Sequence, residues 1–323
     1  MGLKPWSMVA DIGGTNARFG IHDATTGGLH GIRRYSVADY ANFDQVLTRF
    51  LSDVTEISEW LPLPERACFA VACPVDEAVI RFTNSPWRFS RKSLSELLGG
   101  GRVSLLNDFA AVGHAIPFLG LNDWQQIGGK KGCANRPIAV LGPGTGLGVC
   151  SLVSTEQGYL VVEGEGGHVD FAPVNEQEIA VLRYLQQQYQ RVSVERLLSG
   201  RGIYALYMAL SKIAGVNADC KTPEQVTRAA LNGADGVAKE ALSMFCDILG
   251  ATAGNLALTL GAKGGVYIAG GIVPQLLGFL RDSNFRQRFE AKGRFEAYLA
   301  EVPIKVIVRE NLGLMGAAAL LRD

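Results

Sequence analysis

The sequence predicts an α/β protein with mixed sheets, built on a unit that occurs twice. Short apolar strands alternate with segments of helical spacing, and one hairpin pattern is written two times. In the first copy, residues 8–11 run into Gly13-Gly14-Thr15-Asn16 and out through residues 18–21. In the second, residues 138–141 run into Gly142-Pro143-Gly144-Thr145-Gly146 and out through residues 147–150. A hairpin joins antiparallel neighbours, so the sheets are not purely parallel.

Strand signals fill the first 40 residues, with a polar turn at 23–28. A helix follows over 43–51, where Phe43, Val46, Leu47 and Phe50 fall on one face. A strand over 67–72 ends at Cys73-Pro74-Val75. Another over 103–106 ends at Asn107-Asp108, and the helical run that starts at Phe109 stops at Pro117. The second half carries helices over 176–190 and 194–198. Its strongest helix covers 241–260, where Leu242, Phe245, Leu249, Ala253, Leu256 and Leu260 make a core-facing stripe. Residues 264–271 read as a short buried strand ending in Ala269-Gly270-Gly271, followed by an apolar helical stretch from Ile272. A strand over 302–308 and a helix of small residues over 313–320 complete the pattern.

At 323 residues the chain is long enough for two domains and buries roughly 75% of its unfolded surface. Apolar residues at 48% and charged residues at 19% suit a globule rather than a disordered chain. The 31 basic and 31 acidic residues cancel and form no basic stripe, which argues against a nucleic-acid partner. The six cysteines have neither CxxC nor metal spacing, and several lie in apolar runs as small hydrophobes. The opening Met1-Gly2-Leu3-Lys4-Pro5-Trp6-Ser7 lacks the apolar core of a secretory signal. No uninterrupted apolar run nears the roughly 18 residues of a membrane span. The expectation is a cytoplasmic protein with reduced thiols and no membrane partner.

Glycines at a strand-to-strand turn supply positive φ and bring bare backbone N–H groups close to an anion, and threonine adds a hydroxyl donor. Two such turns would grip a polyphosphate from both sides. Gly270-Gly271, at a strand-to-helix turn, lets a flat ligand lie against backbone. Neither GxGxxG with a following acid nor GxxxxGK[ST] occurs, so a dinucleotide fold and a P-loop are both unsupported. Asn107-Asp108 sits where a strand yields to a helix. Taken alone these residues favour an N-cap; the alternative is a carboxylate that takes a proton from a hydroxyl nucleophile. In residues 163–173 three acids and a histidine crowd a glycine-rich loop. Metal binding is the rival there, but without HExxH or a nearby cysteine the loop better suits a polyhydroxyl ligand. His22, His30 and His114 carry no comparable context, and Glu195 alone reads as an exposed helix glutamate.

Six segments together resemble the bacterial glucokinase family, the hexokinase-like branch of the actin-like ATPase superfamily. They are Asp11-Ile12-Gly13-Gly14-Thr15-Asn16, Leu106-Asn107-Asp108-Phe109, Gly142-Pro143-Gly144-Thr145-Gly146-Leu147-Gly148, the run from Gly164 through Glu165 and His168 to Pro173, Glu195-Arg196-Leu197-Leu198-Ser199-Gly200, and Ile268-Ala269-Gly270-Gly271-Ile272. The resemblance implies two ribonuclease H-like domains with mixed sheets flanking a central cleft. Residues 1–118 plus 309–323 would form the small domain and 119–308 the large one. It also implies phosphorylation of D-glucose at O6 by ATP with Mg²⁺.

Residue by residue, the resemblance makes Asn107, Asp108, Glu165, His168 and Glu195 the sugar's hydrogen-bonding shell, with Asp108 the general base in place of a cap. Gly13, Gly14, Thr15 and Asn16 would hold ATP phosphates together with Gly142, Gly144, Thr145 and Gly146. Gly270 and Gly271 would approach the adenosine, and Asp11 would position Mg²⁺ through water. A homodimer is a family expectation with no residue-level support. Arg201 stands where many relatives have proline, which puts the local loop geometry in question. The cysteine-rich zinc motif of the other large family of bacterial sugar kinases and repressors is absent. The alternatives are a kinase for another hexose or an N-acylated hexosamine, and a non-catalytic sugar-sensing regulator. Such regulators carry a helix-turn-helix before the first phosphate turn, and only ten residues precede Asp11.

Overall fold

In the computed structural model, which describes residues 6–57, 63–82 and 87–322, the chain divides into two units. One is Met1–Leu119 with Arg309–Asp323, the other Gly120–Val308. The expectation of no secretory signal rests on residues 1–7, of which 1–5 lie outside the described residues.

The first unit runs β1 (Ser7–Ile12), β2 (Asn16–His22), β3 (Leu29–Ser36), α1 (Phe43–Ile57) and β4 (Arg66–Val71). A small hairpin of β5 (Val79–Arg81) and β6 (Arg88–Ser90) follows, then α2 (Arg91–Leu97), β7 (Arg102–Asn107) and α3 (Asp108–Ala115). The second unit opens with β8 (Trp124–Gln126), β9 (Ile138–Pro143), β10 (Leu147–Thr155) and β11 (Gly158–Gly164). Helices α4 (Glu176–Gln186), α5 (Gly200–Ala214), α6 (Pro223–Leu231) and α7 (Gly236–Leu260) lead to β12 (Gly265–Ile268). Short helices α8 (Leu277–Asp282), α9 (Phe285–Glu290) and α10 (Glu296–Glu301) precede β13 (Ile304–Ile307). The chain then rejoins the first unit as α11 (Leu312–Ala319).

The repeated hairpin marks a repeated sheet. The first sheet has the order β3-β2-β1-β4-β7, antiparallel from β3 to β1 and parallel from β1 to β7. The second has the order β11-β10-β9-β12-β13-β8. Its first five strands repeat the same sequence of two antiparallel and two parallel pairings, and β8 adds an antiparallel edge. Each unit is thus ribonuclease H-like, and together they give the mixed α/β fold of the actin-like ATPases.

Strand periodicity sorts the first unit's core into two faces. Met8, Ala10 and Ile12 join Phe19, Phe43, Phe50, Phe69 and Phe89 on one side. There the Phe19 and Phe50 rings stack at 5.1 Å and the Phe43 and Phe89 centroids lie 4.5 Å apart. Val9, Cys68, Ala70 and Leu106 face the other way, against Ala111 of α3 and Leu314 and Ala317 of α11. Small side chains on that face let two helices sit close to the sheet.

In the second unit, α7 supplies much of the core through Leu242, Phe245, Leu249 and Ala253. It begins earlier than the stripe suggests, because Asp235 accepts bonds from the N–H groups of Val237 and Ala238 at 2.8 and 3.0 Å. Its most apolar 18-residue window has a mean hydropathy of 1.4, enough by length and composition to cross a membrane. The sequence expectation counted only uninterrupted apolar runs and so did not single this helix out as a span. Two thirds of the window is buried within the unit, which accounts for its apolarity. α4 stops at Gln186, and the expected helix at 194–198 is a 3₁₀ turn over Val194–Arg196.

His22 is 1% exposed at the end of β2, and neither ring nitrogen has a hydrogen-bond partner. Burial and the nearby Arg322 hold its pKa below the usual value; Asp23 opposes this and Arg66 adds to it. The unfolded chain therefore takes up this proton before the folded one does, so stability falls as pH drops through about 6.5. His22→Leu is expected to unfold at an equal or higher urea concentration at pH 7.5. It should also lose less stability than the parent at pH 5.5, since an unpaired buried polar group is replaced by an apolar one. Equal acid sensitivity in the two proteins would remove His22 from the account.

Candidate active site

In the first unit, parallel pairing aligns the ends of three strands. Ile12 of β1 pairs with Val71 of β4, and Val71 pairs with Asn107 of β7. Asp11, the turn Gly13-Gly14-Thr15-Asn16 and Asn107-Asp108 therefore share one sheet edge, where α/β proteins bind ligands. The turn is closed by the Gly13 N–H donating to the Asn16 carbonyl at 2.9 Å. The Thr15 carbonyl accepts from Val37 N–H, and Asn16 Oδ1 accepts from Arg34 Nε, both at 2.9 Å.

At the end of β7 the capping residue is Asn107. Its Oδ1 accepts from the N–H groups of Phe109 and Ala110 at 2.8 and 3.2 Å, and Asp108 takes the first helical position of α3. Burial, then the charges of Asp108 and Glu77, push the Cys73 thiol up to about 11. Cys73 is therefore a neutral thiol at pH 7 and not a competing nucleophile.

Asp11 pairs with Arg18 Nη1 at 3.1 Å across the first hairpin and is 18% exposed. Burial raises its pKa, against the opposing charge and hydrogen bond of Arg18. The start of α11 passes so close that a Cβ on Gly313 would lie 2.6 Å from Asp11 Cγ. Among the described residues no group of three or more His, Cys, Asp or Glu could hold a metal ion. A single carboxylate does fit Mg²⁺, which takes one or two carboxylates and completes its shell with water and substrate phosphates.

In the second unit the same alignment recurs, with Leu141 of β9 paired to Ile268 of β12. The Ala269 N–H donates to the Leu141 carbonyl at 2.8 Å. Gly270 has φ +84°, and a Cβ there would lie 2.3 Å from the Pro143 carbonyl oxygen, so only glycine fits. Gly142 is buried in β9, whereas a Cβ on Gly144 or Gly271 would meet nothing within 4 Å. In the turn, the Gly144 N–H donates to the Gly146 carbonyl at 2.8 Å, and the Gly144 carbonyl accepts from Gly200 at 2.9 Å. Thr145 at its tip is exposed.

Glu195 holds this turn in place. Its Oε2 accepts from the Leu147 N–H at 2.8 Å, and a Cβ on Gly146 would lie 2.4 Å from that oxygen. Read alone, Glu195 gave no hint of this, since its partner is 48 residues away. Positive φ is not what these two hairpin turns require: among the glycines expected to meet the nucleotide, only Gly270 adopts it. At Gly146 the reason is the Glu195 carboxylate.

The acidic loop forms a 3₁₀ turn over Gly166–His168, in which the His168 N–H donates to the Glu165 carbonyl at 3.0 Å. His168 Nε2 and Glu165 Oε2 lie 3.9 Å apart, and both side chains are exposed. A Cβ on Gly166 would lie 2.8 Å from Val149 Cγ1, and one on Gly167 2.2 Å from the Leu147 carbonyl. The glycines thus let the loop lie against β10, a packing reason in addition to any ligand. Residues 191–195 run alongside: Phe171 N–H donates to Val192, and Val194 N–H donates to Val169, at 3.0 and 2.9 Å. Glu165, His168, Glu195 and the second glycine turn therefore gather on one edge of this unit. Arg201 lies in the first turn of α5, after the cap in which Ser199 Oγ accepts from Gly202 N–H at 3.1 Å. Proline is tolerated in a helix's first turn, so either residue suits the position.

Two ribonuclease H-like units, each with a glycine-threonine hairpin at aligned strand ends, define the actin-like ATPase fold. Comparison narrows this further. A model of the family described as Glucokinase matches residues 8–323. The chain is 43% identical over 321 residues to the glucokinase of Citrobacter koseri, covering 99% of this chain and 98% of that one. It is 42% identical over 323 residues to that of Hahella chejuensis, covering 100% and 99%. Among solved structures it is similar to a glucokinase from an Antarctic psychrotroph, with TM-score 0.85, 36% identity and 98% and 99% coverage. The chain belongs to the glucokinase family.

Glu195→Ala should leave the Leu147 N–H without its acceptor and loosen the turn. The expected cost is about 1–3 kcal/mol, seen as a lower urea midpoint and faster hydrogen exchange at the Leu147 amide. Unchanged exchange at that amide would show that the carboxylate does not hold the turn.

Proposed function

We propose that the protein transfers the γ-phosphoryl group of ATP to O6 of D-glucose, giving glucose 6-phosphate and ADP, the first step of glucose use. The observation that carries this reading is the family match over residues 8–323, with relatives named glucokinase that share nearly the whole chain. The two units correspond on this reading to a small and a large domain. We place the reaction in the cytoplasm, where the six free cysteines would stay reduced.

Phosphoryl transfer asks the protein for alignment and charge stabilisation rather than covalent chemistry. The open backbone at Gly144, with Thr145 beside it, suits phosphate oxygens, as does the turn from Gly13 to Asn16. Gly270 and Gly271 leave space for a flat base against the backbone. Asn107, Glu165, His168 and Glu195 offer donors and acceptors for sugar hydroxyls. Asp108 orients the primary hydroxyl and accepts its proton as the bond to phosphorus forms. Because Asn107 supplies the cap, that role for Asp108 does not conflict with holding the start of α3. Asp11 would hold Mg²⁺ through water together with nucleotide oxygens, and the ion would neutralise charge on the phosphates.

A coupled assay of ADP release with glucose, mannose, fructose, an N-acetylated hexosamine and no sugar tests the reading. Glucose should give the highest kcat/KM, and a higher value for another sugar would reassign the substrate. Asp108→Asn should lower kcat by at least about 100-fold while leaving glucose affinity within about threefold. Near-normal kcat would make Asp108 a structural residue. Activity should disappear when EDTA removes divalent ions and return with added Mg²⁺. Recovery with Zn²⁺ alone would overturn the magnesium assignment.

A further inference from the structure

Arg191 is a residue that neither the sequence motifs nor the proposed mechanism uses, yet it grips the acidic loop at two points. Its Nε donates to Asp170 Oδ1 and its Nη2 donates to the backbone carbonyl of His168. The bridge between Asp170 and Ser193, and the Val194-to-Val169 bond, run beside these contacts. The His168 ring extends from the same residue whose carbonyl the guanidinium holds. Within the loop, the 3₁₀ turn contributes one backbone bond, from His168 N–H to Glu165. A planar guanidinium with donors in a fixed fork can hold a carboxylate and a carbonyl together and so set the direction of the residue between them.

We infer that Arg191 is a positioning residue for His168: it fixes the loop so that the imidazole meets a sugar hydroxyl without first having to be ordered. The inference rests on the proposed role of His168 in sugar binding. Stability is not a sufficient reason for the contacts. The Arg191 and Asp170 side chains are 59% and 74% exposed, and pairs that exposed contribute little to folding. Their value is in preorganisation, because a loop ordered in advance gives up less entropy when the ligand binds.

The test uses Arg191→Ala, Arg191→Lys, His168→Ala and the double variant Arg191→Ala/His168→Ala. For each, kcat, KM and calorimetric Kd for glucose are measured along with the urea midpoint. Arg191→Ala is expected to raise the glucose Kd and KM about tenfold, with kcat lowered by less than about threefold and the midpoint unchanged. Arg191→Lys should recover part of the affinity, because an ammonium reaches one acceptor but cannot fork to both. In the His168→Ala background, removing Arg191 should add less than about twofold, since a residue acting through His168 has nothing left to position.

Unchanged affinity in Arg191→Ala, with a clear loss in His168→Ala, would overturn the positioning role and leave the sugar reading standing. No loss in His168→Ala would show instead that the sugar reading had failed, and the inference with it. A full additional loss in the double variant would mean that Arg191 acts independently of His168. A lowered urea midpoint with kcat and KM disturbed together would reduce it to a structural residue.

Discussion

Parallel pairing at the centre of each sheet is the constraint on which the functional edges depend. Once β1, β4 and β7 are in register, the chain leaves all three at the same level, and whatever follows each strand is delivered to one edge. The antiparallel hairpin on the other side of β1 returns its own turn to that edge. β9, β10 and β12 repeat the geometry in the second unit. A register slip of one residue would turn each side chain to the opposite face and separate Asp11 from α11. Residues as far apart in sequence as Asp11, Asn107 and Gly313 are thus placed by backbone hydrogen bonding, before any ligand is considered.

On that framework a few side chains complete the backbone's own bonding. Asn107 answers the first N–H groups of α3, and Glu195 answers the N–H of Leu147 at the end of the second turn. Both are proposed sugar ligands that also have a structural partner, so each offers the ligand an already oriented group. Preorganisation of this kind matters for phosphoryl transfer, where catalysis comes from alignment and fixed charge. Asp11 is held differently. Burial raises its pKa, and the Arg18 guanidinium at 3.1 Å offsets only part of that cost.

Much of the fold was legible in the sequence because it follows local rules. Apolar strands on either side of a repeated glycine-threonine turn located both hairpins, and the three- and four-residue stripe located α7. The turn residues were found, but their physical reason was not. Positive φ was expected at the hairpin glycines, whereas Gly146 is required by a carboxylate 49 residues further along the chain, at Glu195. Glu195 and Arg191 were opaque for the same reason: their partners lie across the fold, and periodicity reports only neighbours. α5 begins at Gly200-Arg201-Gly202, where two glycines lower the helix propensity of the first turn, and the Ser199 cap shows why a helix starts there. The choice between Asn107 and Asp108 as cap could not be made by residue type, since both favour it, and the bonds to Phe109 and Ala110 decide it.

The return of α11 to the first unit has a consequence for how the chain is made. The second unit is one uninterrupted stretch, Gly120–Val308, so all its strands have been synthesised before α11 is translated. The first unit must wait. Val9, Cys68 and Ala70 have no cover from Leu314 and Ala317 until α11 emerges. Arg66 likewise has no Leu321 carbonyl to bond until then, a contact that measures 2.9 Å in the finished fold. Vectorial synthesis therefore inverts the usual N-to-C order of domain folding. The unit translated first is completed after the second, and the surroundings of Asp11 are assembled only once α11 has been made.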